Sequence, residues 1–304
     1  MQEWECGIRG SMQIWQFSGK LIHLRSLKFE NGNKWFFQLN NHNSSTLERL
    51  IKVLNLPSKD ITKSKCIRYP YSHLSQQGAY TFFDYAEDYL DLFKWLSEQT
   101  PKTSICIDDH EYEDMYDLRL QLMRISQSIV IRNELCGGLL LHGIMLKYNN
   151  KAIILAGESG RGKTTAAARV PSTSWEKISD DLTLVVRDKK GQYFAHPWPG
   201  TKAYTYFDIS YESTKGTPIG GVFYLMQDKE VLIKPLKTLE AFAFTQEAAD
   251  QAMSLPDPSI DPKRVGEVRK NRLSNITQFI SKIHCHVLHL DKTKPFWKEI
   301  EALI

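Results

Sequence analysis

Hydrophobic positions recur every three or four residues in several stretches of the chain, which is the spacing of one face of an α-helix. The clearest stretch contains Met115, Leu118, Leu122, Ile125 and Ile129. Gly137 and Gly138 follow it as a stop signal, because glycine readily adopts the left-handed conformation that ends a helix. The same spacing predicts helices over 85–96, 238–253 and 263–282, with a proline-rich segment at 255–262 between the last two.

Short apolar or alternating runs between turn residues predict strands. In the second half these runs cover 139–147, 151–156, 177–179, 182–187, 192–195, 222–226, 231–234 and 283–290. Asn149-Asn150 favours a hairpin between the first two runs, and the short gap between 222–226 and 231–234 predicts a second hairpin. The second half is therefore expected to be α/β.

The first 130 residues combine predicted strands at 21–24 and 35–39, a strand at 104–108 and three helices, but they contain no recognisable chemical motif. The first helix, about 47–54, follows a capping box formed by Ser45 and Glu48. We interpret residues 1–130 as a smaller accessory α+β region with a role in binding a peptide or partner. Residues 131–304 are expected to form the catalytic domain.

Composition narrows the function classes. The 304 residues are 42% hydrophobic and carry 39 basic against 35 acidic side chains, a surplus of +4 that gives no reason to expect nucleic-acid binding. No apolar run approaches the roughly 20 residues of a membrane span, and the N-terminus lacks signal-peptide features. The five cysteines are widely spread, with no C-x-x-C pair. The expected location is a reducing cytoplasm.

One sequence motif indicates a specific chemical function. Residues 157–164 match G-x-x-x-x-G-K-[ST], the P-loop, after an apolar strand and before a predicted helix over 165–170. In such loops the backbone N–H groups bind phosphate, the lysine reaches the β- and γ-phosphates, and the hydroxyl binds Mg²⁺. The predicted nucleotide-binding residues are Gly157, Glu158, Ser159, Gly160, Arg161, Gly162, Lys163, Thr164 and Thr165.

Two further features lie close to the P-loop in the sequence. Asp180 and Asp181 lie 17 and 18 residues after Lys163. In ordinary P-loop ATPases the acidic residue that ends a strand lies much further along the chain. Two neighbouring carboxylates can have different roles, since one can bind Mg²⁺ while the other accepts a proton. His142 lies on the predicted strand that precedes the strand leading into the P-loop. It is either a histidine buried in the core, as its apolar neighbours suggest, or part of the nucleotide site, because adjacent strands would bring it near the P-loop.

The order His142-Gly143, P-loop, Asp180-Asp181 resembles HPr kinase/phosphorylase, whose P-loop core is related to phosphoenolpyruvate carboxykinase. The resemblance covers about residues 137–290 and implies a mixed sheet. It implies that Asp180 accepts the proton, that Asp181 and Thr164 bind Mg²⁺ with Asp180 nearby, and that His142 and Lys163 support catalysis. The family's long signature after the Asp pair is missing. The segment 185–200 looks closer to a divergent branch, the SynChlorMet cassette proteins and the kinases that tailor lasso peptides.

The resemblance implies a Mg²⁺- and ATP-dependent phosphotransferase acting on a Ser or Thr hydroxyl of a peptide or small protein, such as a ribosomally synthesised precursor peptide. The alternative is a non-catalytic nucleotide-binding module that guides a peptide or acts as a sensor. No nucleic-acid or membrane partner is expected, and a homo-oligomer stays open. The residues that could neutralise transition-state charge are Arg161, Arg264, Arg269 and Arg272. The alternative for Arg161 is a side chain that faces solvent, and for the other three it is a solvated helix face.

Overall fold

The structure is a computed structural model that describes residues 4–9, 12–17, 22–38, 49, 51–56, 58–61, 66–69, 82–99, 104–108, 115–200 and 212–304. The predicted capping box at 45–48 lies outside these residues. Within them, no helix is both long and apolar enough to cross a membrane.

The described residues of the first part of the chain form two small sheets and several helical segments. Its elements are β1 (Trp4–Arg9), β2 (Met12–Phe17), β3 (Ile22–Lys28), β4 (Lys34–Gln38), β5 (Ser58–Ile61), β6 (Cys66–Tyr69), α1 (Phe82–Glu98), β7 (Ser104–Asp108) and α2 (Met115–Leu135). β1 and β2 form an antiparallel pair, and the five-stranded sheet has the order β5-β3-β4-β7-β6. The predicted strands near 21–24, 35–39 and 104–108 and helices α1 and α2 are confirmed, and β3 pairs with β4 antiparallel.

The second part contains most of the regular structure. Its elements are β8 (Leu139–Tyr148), β9 (Lys151–Ala156), α3 (Lys163–Ala167), β10 (Trp175–Lys177), β11 (Leu182–Arg187), β12 (Tyr193–Trp198), β13 (Thr217–Gln227), β14 (Leu232–Pro235), α4 (Thr238–Ala252), α5 (Pro262–Ile280), β15 (Cys285–Leu290) and α6 (Trp297–Glu301).

Strands β8–β15 form one mixed sheet of eight strands in the order β10-β8-β11-β12-β13-β15-β14, with β9 pairing both β8 and β13. β9, β13 and β15 run parallel, whereas β8 is antiparallel to both β9 and β11. The pairings β8-β11-β12-β13-β9 therefore close a circuit. The expected α/β class with a mixed sheet is confirmed.

One predicted hairpin is confirmed and the other is wrong. Asn149 and Asn150 have φ values of 47° and 59°, as a two-residue turn with both central residues left-handed requires. β13 and β14 do not pair, because β15 lies between them, parallel to β13 and antiparallel to β14. β13 and β14 were expected to pair because they are adjacent in the sequence. Instead β15, which follows two helices along the chain, lies between them in the sheet.

The helix stop after α2 positions the start of β8. Gly137 has φ 89°, and the Gly138 N–H donates to the Asn133 carbonyl at 2.9 Å, a Schellman ending. The Asn133 amide then donates to the Val185 carbonyl on β11 at 2.8 Å. These bonds fix the end of α2 against the sheet, and the predicted domain boundary at residue 130 falls inside this helix.

Buried contacts join the first part of the chain to the sheet. One hydrophobic cluster contains Leu27, Trp35, Val53, Ile129, Leu184, Trp198 and Val265. A polar contact accompanies it: the buried His196 ring has Nε2 2.7 Å from a Glu30 carboxylate oxygen and Nδ1 2.8 Å from the Ser213 carbonyl oxygen. Burial raises the pKa of Glu30, but the hydrogen bond and charge of His196 outweigh it, so this pKa lies below its ordinary value.

Candidate functional site

The P-loop residues connect the end of β9 to α3 in a tight backbone turn. Gly157, Gly160 and Gly162 have φ values of 136°, 82° and 94°, which L side chains rarely adopt. A Cβ at Gly160 or Gly162 would project into open space, whereas one at Gly157 would lie 3.4 Å from the Leu225 backbone. The sequence thus places glycine where the backbone bends and where a ligand can approach the N–H groups.

α3 is shorter than the sequence pattern suggests. It spans only Lys163–Ala167, with Gly162 as its N-cap, so the predicted helix over 165–170 is wrong at its C-terminal end. Pro171 follows shortly after, and a proline disfavours helical conformation in the residue before it. A five-residue helix contributes little dipole, so the loop's N–H groups and Lys163 are the features of this site that could bind a phosphate.

Lys163 lies over the loop and is buried. Its ammonium donates to the Gly157 carbonyl at 2.6 Å and to the Glu158 carbonyl at 3.1 Å. Burial lowers the pKa of Lys163, and the nearby Asp181 carboxylate opposes this shift. A cation held against glycine backbone, close to a carboxylate, fits a nucleotide phosphate with its Mg²⁺.

His142 and Asp181 are brought together by the pairing of β8 with β11. Leu182 lies opposite His142 in the register, and the His142 Nε2 is 3.1 Å from an Asp181 carboxylate oxygen. The His142 side chain is only 17% exposed, whereas that of Asp181 is 55% exposed. A Cβ at Gly200 would lie 2.9 Å from the Asp181 carboxylate, so the glycine leaves room for it. His142 therefore belongs to a polar group beside the P-loop.

The two aspartates have different partners. Asp180 forms an ion pair with Lys177, whereas Asp181 contacts His142 and interacts electrostatically with Lys163. The preceding Ser179 is buried, and its hydroxyl accepts a 2.9 Å hydrogen bond from the Met145 N–H. Of the two carboxylates, Asp181 has the recorded contacts with the other predicted site residues.

Side chains from α4 and β13 complete the surroundings of the loop. Gln251 of α4 lies 2.8 Å from the His142 Nδ1, and Gln227 at the end of β13 donates to the Gly160 carbonyl at 3.1 Å. Within the loop, Arg161 donates to a Glu158 carboxylate oxygen at 2.8 Å. The sequence analysis missed Gln251 and Gln227, because no local pattern connects them to a loop far away along the chain.

Two of the candidate arginines of α5 form ion pairs with residues outside the P-loop. The solvated helix face, which was the alternative to a transition-state role, is wrong for Arg272. It is 1% exposed and forms ion pairs with Glu134 at 3.2 Å and Asp250 at 3.0 Å. Arg264 pairs with Asp91 and Asp261. Arg269 is exposed, and Arg161 is the candidate that lies in the loop itself.

The residues predicted to bind Mg²⁺ are Thr164, Asp180 and Asp181. Thr164 and Thr165 are exposed in the first turn of α3. No cluster of three or more histidine, cysteine or acidic side chains in the described part of the chain is arranged to bind a metal ion. One hydroxyl and one or two carboxylates nevertheless fit Mg²⁺, which usually takes few protein ligands and completes its shell with phosphate and water.

The comparisons with known proteins place the chain in a family. No curated protein matches the sequence. The family described as SynChlorMet cassette protein ScmC matches residues 105–304, which contain the P-loop, His142, both aspartates and helices α4 and α5. This match spans about two thirds of the chain, and the chain belongs to the ScmC family of SynChlorMet cassette proteins.

Proposed function

We propose that this protein is a Mg²⁺-dependent kinase that transfers the γ-phosphate of ATP to a Ser or Thr hydroxyl of a peptide or small protein. A ribosomally synthesised precursor peptide is the favoured acceptor. The relationship to HPr kinase/phosphorylase, with its phosphoenolpyruvate-carboxykinase-like P-loop core, is part of the same proposal.

The observation that carries the proposal is the grouping of Lys163, Asp181 and His142 around a glycine loop. A P-loop alone indicates nucleotide binding rather than a reaction. Here a carboxylate interacts electrostatically with the P-loop lysine and lies 3.1 Å from a histidine nitrogen. A carboxylate oriented by a second group is the arrangement expected of a general base or a metal ligand in phosphoryl transfer.

The proposed reaction is an in-line displacement at the γ-phosphorus. A carboxylate takes the proton of the acceptor hydroxyl, the hydroxyl oxygen bonds to the γ-phosphorus, and the bond to the β–γ bridging oxygen breaks to release ADP. Lys163 and the loop N–H groups bind the β- and γ-phosphates. Mg²⁺, held through Thr164 and an aspartate, would neutralise developing negative charge.

The carboxylate that takes the proton has two candidates. The resemblance assigns this role to Asp180, with Asp181 on the metal. The contacts favour Asp181 as the more essential of the two, because it touches His142 and interacts with Lys163 while Asp180 pairs with Lys177. Substituting each aspartate separately distinguishes these assignments.

The first experiment is calorimetric titration of the full-length protein with MgATP. Binding is expected for the wild type and is expected to be lost in Lys163→Met, because this ammonium provides the principal charge on the loop. Lys151→Met is the matched control, since Lys151 contacts the Ile304 carbonyl at the other end of β9. Equal MgATP affinity in wild type and Lys163→Met would contradict the proposal.

The second experiment separates the kinase from a nucleotide-binding sensor that guides a peptide. The protein is incubated with ATP labelled in the γ-phosphate and with the peptide encoded by the neighbouring gene. Label on the peptide supports the kinase, whereas bound but unreacted nucleotide favours the sensor.

A further inference from the structure

The face of α4 next to His142 carries two polar side chains one helical turn apart. Glu247 and Gln251 are four residues apart, so they lie on the same face of the helix. Gln251 is exposed and Glu247 is partly buried. Neither belongs to the P-loop, the aspartate pair or the strand of His142. They are hydrogen-bonded to each other, and Gln251 also contacts His142.

The hydrogen bonds fix the direction of the Gln251 amide. Its nitrogen donates to a Glu247 carboxylate oxygen at 3.1 Å, and a carboxylate can only accept there. The amide oxygen therefore faces His142, 2.8 Å from Nδ1. Since an amide oxygen has no proton to give, the Nδ1–H of His142 is the donor in this contact.

A fixed Nδ1 contact also fixes the other side of the ring. With Nδ1–H bound to Gln251, the Nε2 points at the Asp181 carboxylate, 3.1 Å away. The imidazole is thus held from both sides, by α4 through one nitrogen and by the β8–β11 pair through the other. Rotation of the ring would break both contacts.

Glu247 connects this arrangement back to the P-loop. Burial and the charge of the nearby Glu158 raise the pKa of Glu247, and Arg161 opposes this shift. Glu158 and Arg161 are hydrogen-bonded to each other within the loop. Charged side chains of the P-loop therefore lie close to Glu247, which contacts Gln251.

We propose that Gln251 is a positioning residue: it accepts the Nδ1–H of His142 and so holds the ring with a protonated Nε2 donating to the Asp181 carboxylate, and Glu247 fixes the Gln251 amide for this task. The proposal rests on the proposed phosphotransfer. Gln251 touches neither nucleotide nor acceptor and acts only through His142. Its effect is expected on the rate of transfer rather than on nucleotide binding.

Gln251→Leu removes both hydrogen bonds from an exposed position, so the fold is expected to survive. We expect kcat for peptide phosphorylation to fall about fivefold to tenfold, as for loss of one modest hydrogen bond, with KM for MgATP unchanged. The exchanged pair Glu247→Gln with Gln251→Glu keeps an amide donor and a carboxylate acceptor in contact, and it is expected to restore most of kcat. Gln278→Leu is the control, since Gln278 makes a similar hydrogen bond to Ser274 on α5 without a histidine.

A second readout does not depend on activity. The ¹⁵N NMR spectrum of the His142 ring should show a protonated Nδ1 in the wild type and in the exchanged pair, and altered ring signals in Gln251→Leu. If the wild type transfers no phosphate, the proposed function fails, but this spectrum still decides whether Gln251 fixes the ring. Unchanged ring signals in Gln251→Leu, a kcat equal to that of Gln278→Leu, or an exchanged pair that remains impaired would each overturn the proposal.

Discussion

Replacing Arg272 by methionine is predicted to destabilise the protein without changing its nucleotide site. Arg272 is 1% exposed and reaches two helices at once. It pairs with the equally buried Glu134 of α2, and its guanidinium donates to the Met253 carbonyl at the end of α4 at 2.7 Å. Burial alone would lower the pKa of Arg272, but Glu134, Tyr89 and Asp250 together outweigh it and raise the pKa, so the arginine is firmly charged.

The expected loss of stability comes from the buried Glu134 charge that remains after Arg272 is replaced. Removing one partner of a buried ion pair leaves an uncompensated charge and typically costs about 3–5 kcal/mol. Asp250, the other partner of Arg272, is 45% exposed and can be solvated, so most of this cost comes from Glu134. Replacing both Arg272 and Glu134 with apolar residues should recover most of the loss, because no buried charge is then left.

Urea unfolding followed by circular dichroism measures these differences, with a constant slope as the check that only stability has changed. The double variant Glu134→Leu/Arg272→Met should be more stable than Arg272→Met alone. MgATP affinity, measured where the variants are folded, should match the wild type. An Arg272→Met protein within about 0.5 kcal/mol of wild type would refute the reasoning, since that is the usual range for surface substitutions.

Three further predictions follow from the site and from its link to the first part of the chain. Asp181→Asn should reduce phosphotransfer more than 100-fold while Asp180→Asn costs less than tenfold, as judged by labelled-phosphate transfer; the reverse order would favour the assignment implied by the resemblance. Gly162→Ala, at φ 94°, should weaken MgATP binding because a left-handed residue with a Cβ costs about 1–2 kcal/mol, whereas Gly266→Ala within α5 should leave calorimetric binding unchanged. Glu30→Gln should destabilise the protein most near pH 6. The pKa of Glu30 in the folded protein lies below its ordinary value of 4.5, so the ionised carboxylate stabilises the fold above pH 4.5. This contribution is lost as the pH falls through the pKa of the folded protein. Urea midpoints for both proteins between pH 6 and 3.5 test this, and a difference that does not shrink on acidification would contradict it.

Local patterns predicted the elements whose partners are close in sequence. The hydrophobic periodicity of α2, the glycine stop after it and the asparagine turn between β8 and β9 each depend on a few neighbouring residues. The P-loop was equally visible, because its glycines are required by the backbone conformation of the loop itself.

Features that depend on distant contacts could not be predicted. β15 enters the sheet between β13 and β14 from beyond two helices, so the hairpin expected from sequence proximity does not form. The separate environments of Asp180 and Asp181 arise from strand pairing and a local lysine. Gln251 reaches His142 from more than 100 residues away, and nothing in its own helix pattern indicates this contact.

The central claim is tested most directly by intact-mass measurement of the neighbouring-gene peptide after incubation with the full-length protein and MgATP. We predict a gain of one phosphoryl group on a Ser or Thr side chain, lost with Lys163→Met and with substitution of the acceptor residue by alanine. A peptide that stays unmodified while the protein binds MgATP tightly would contradict the kinase.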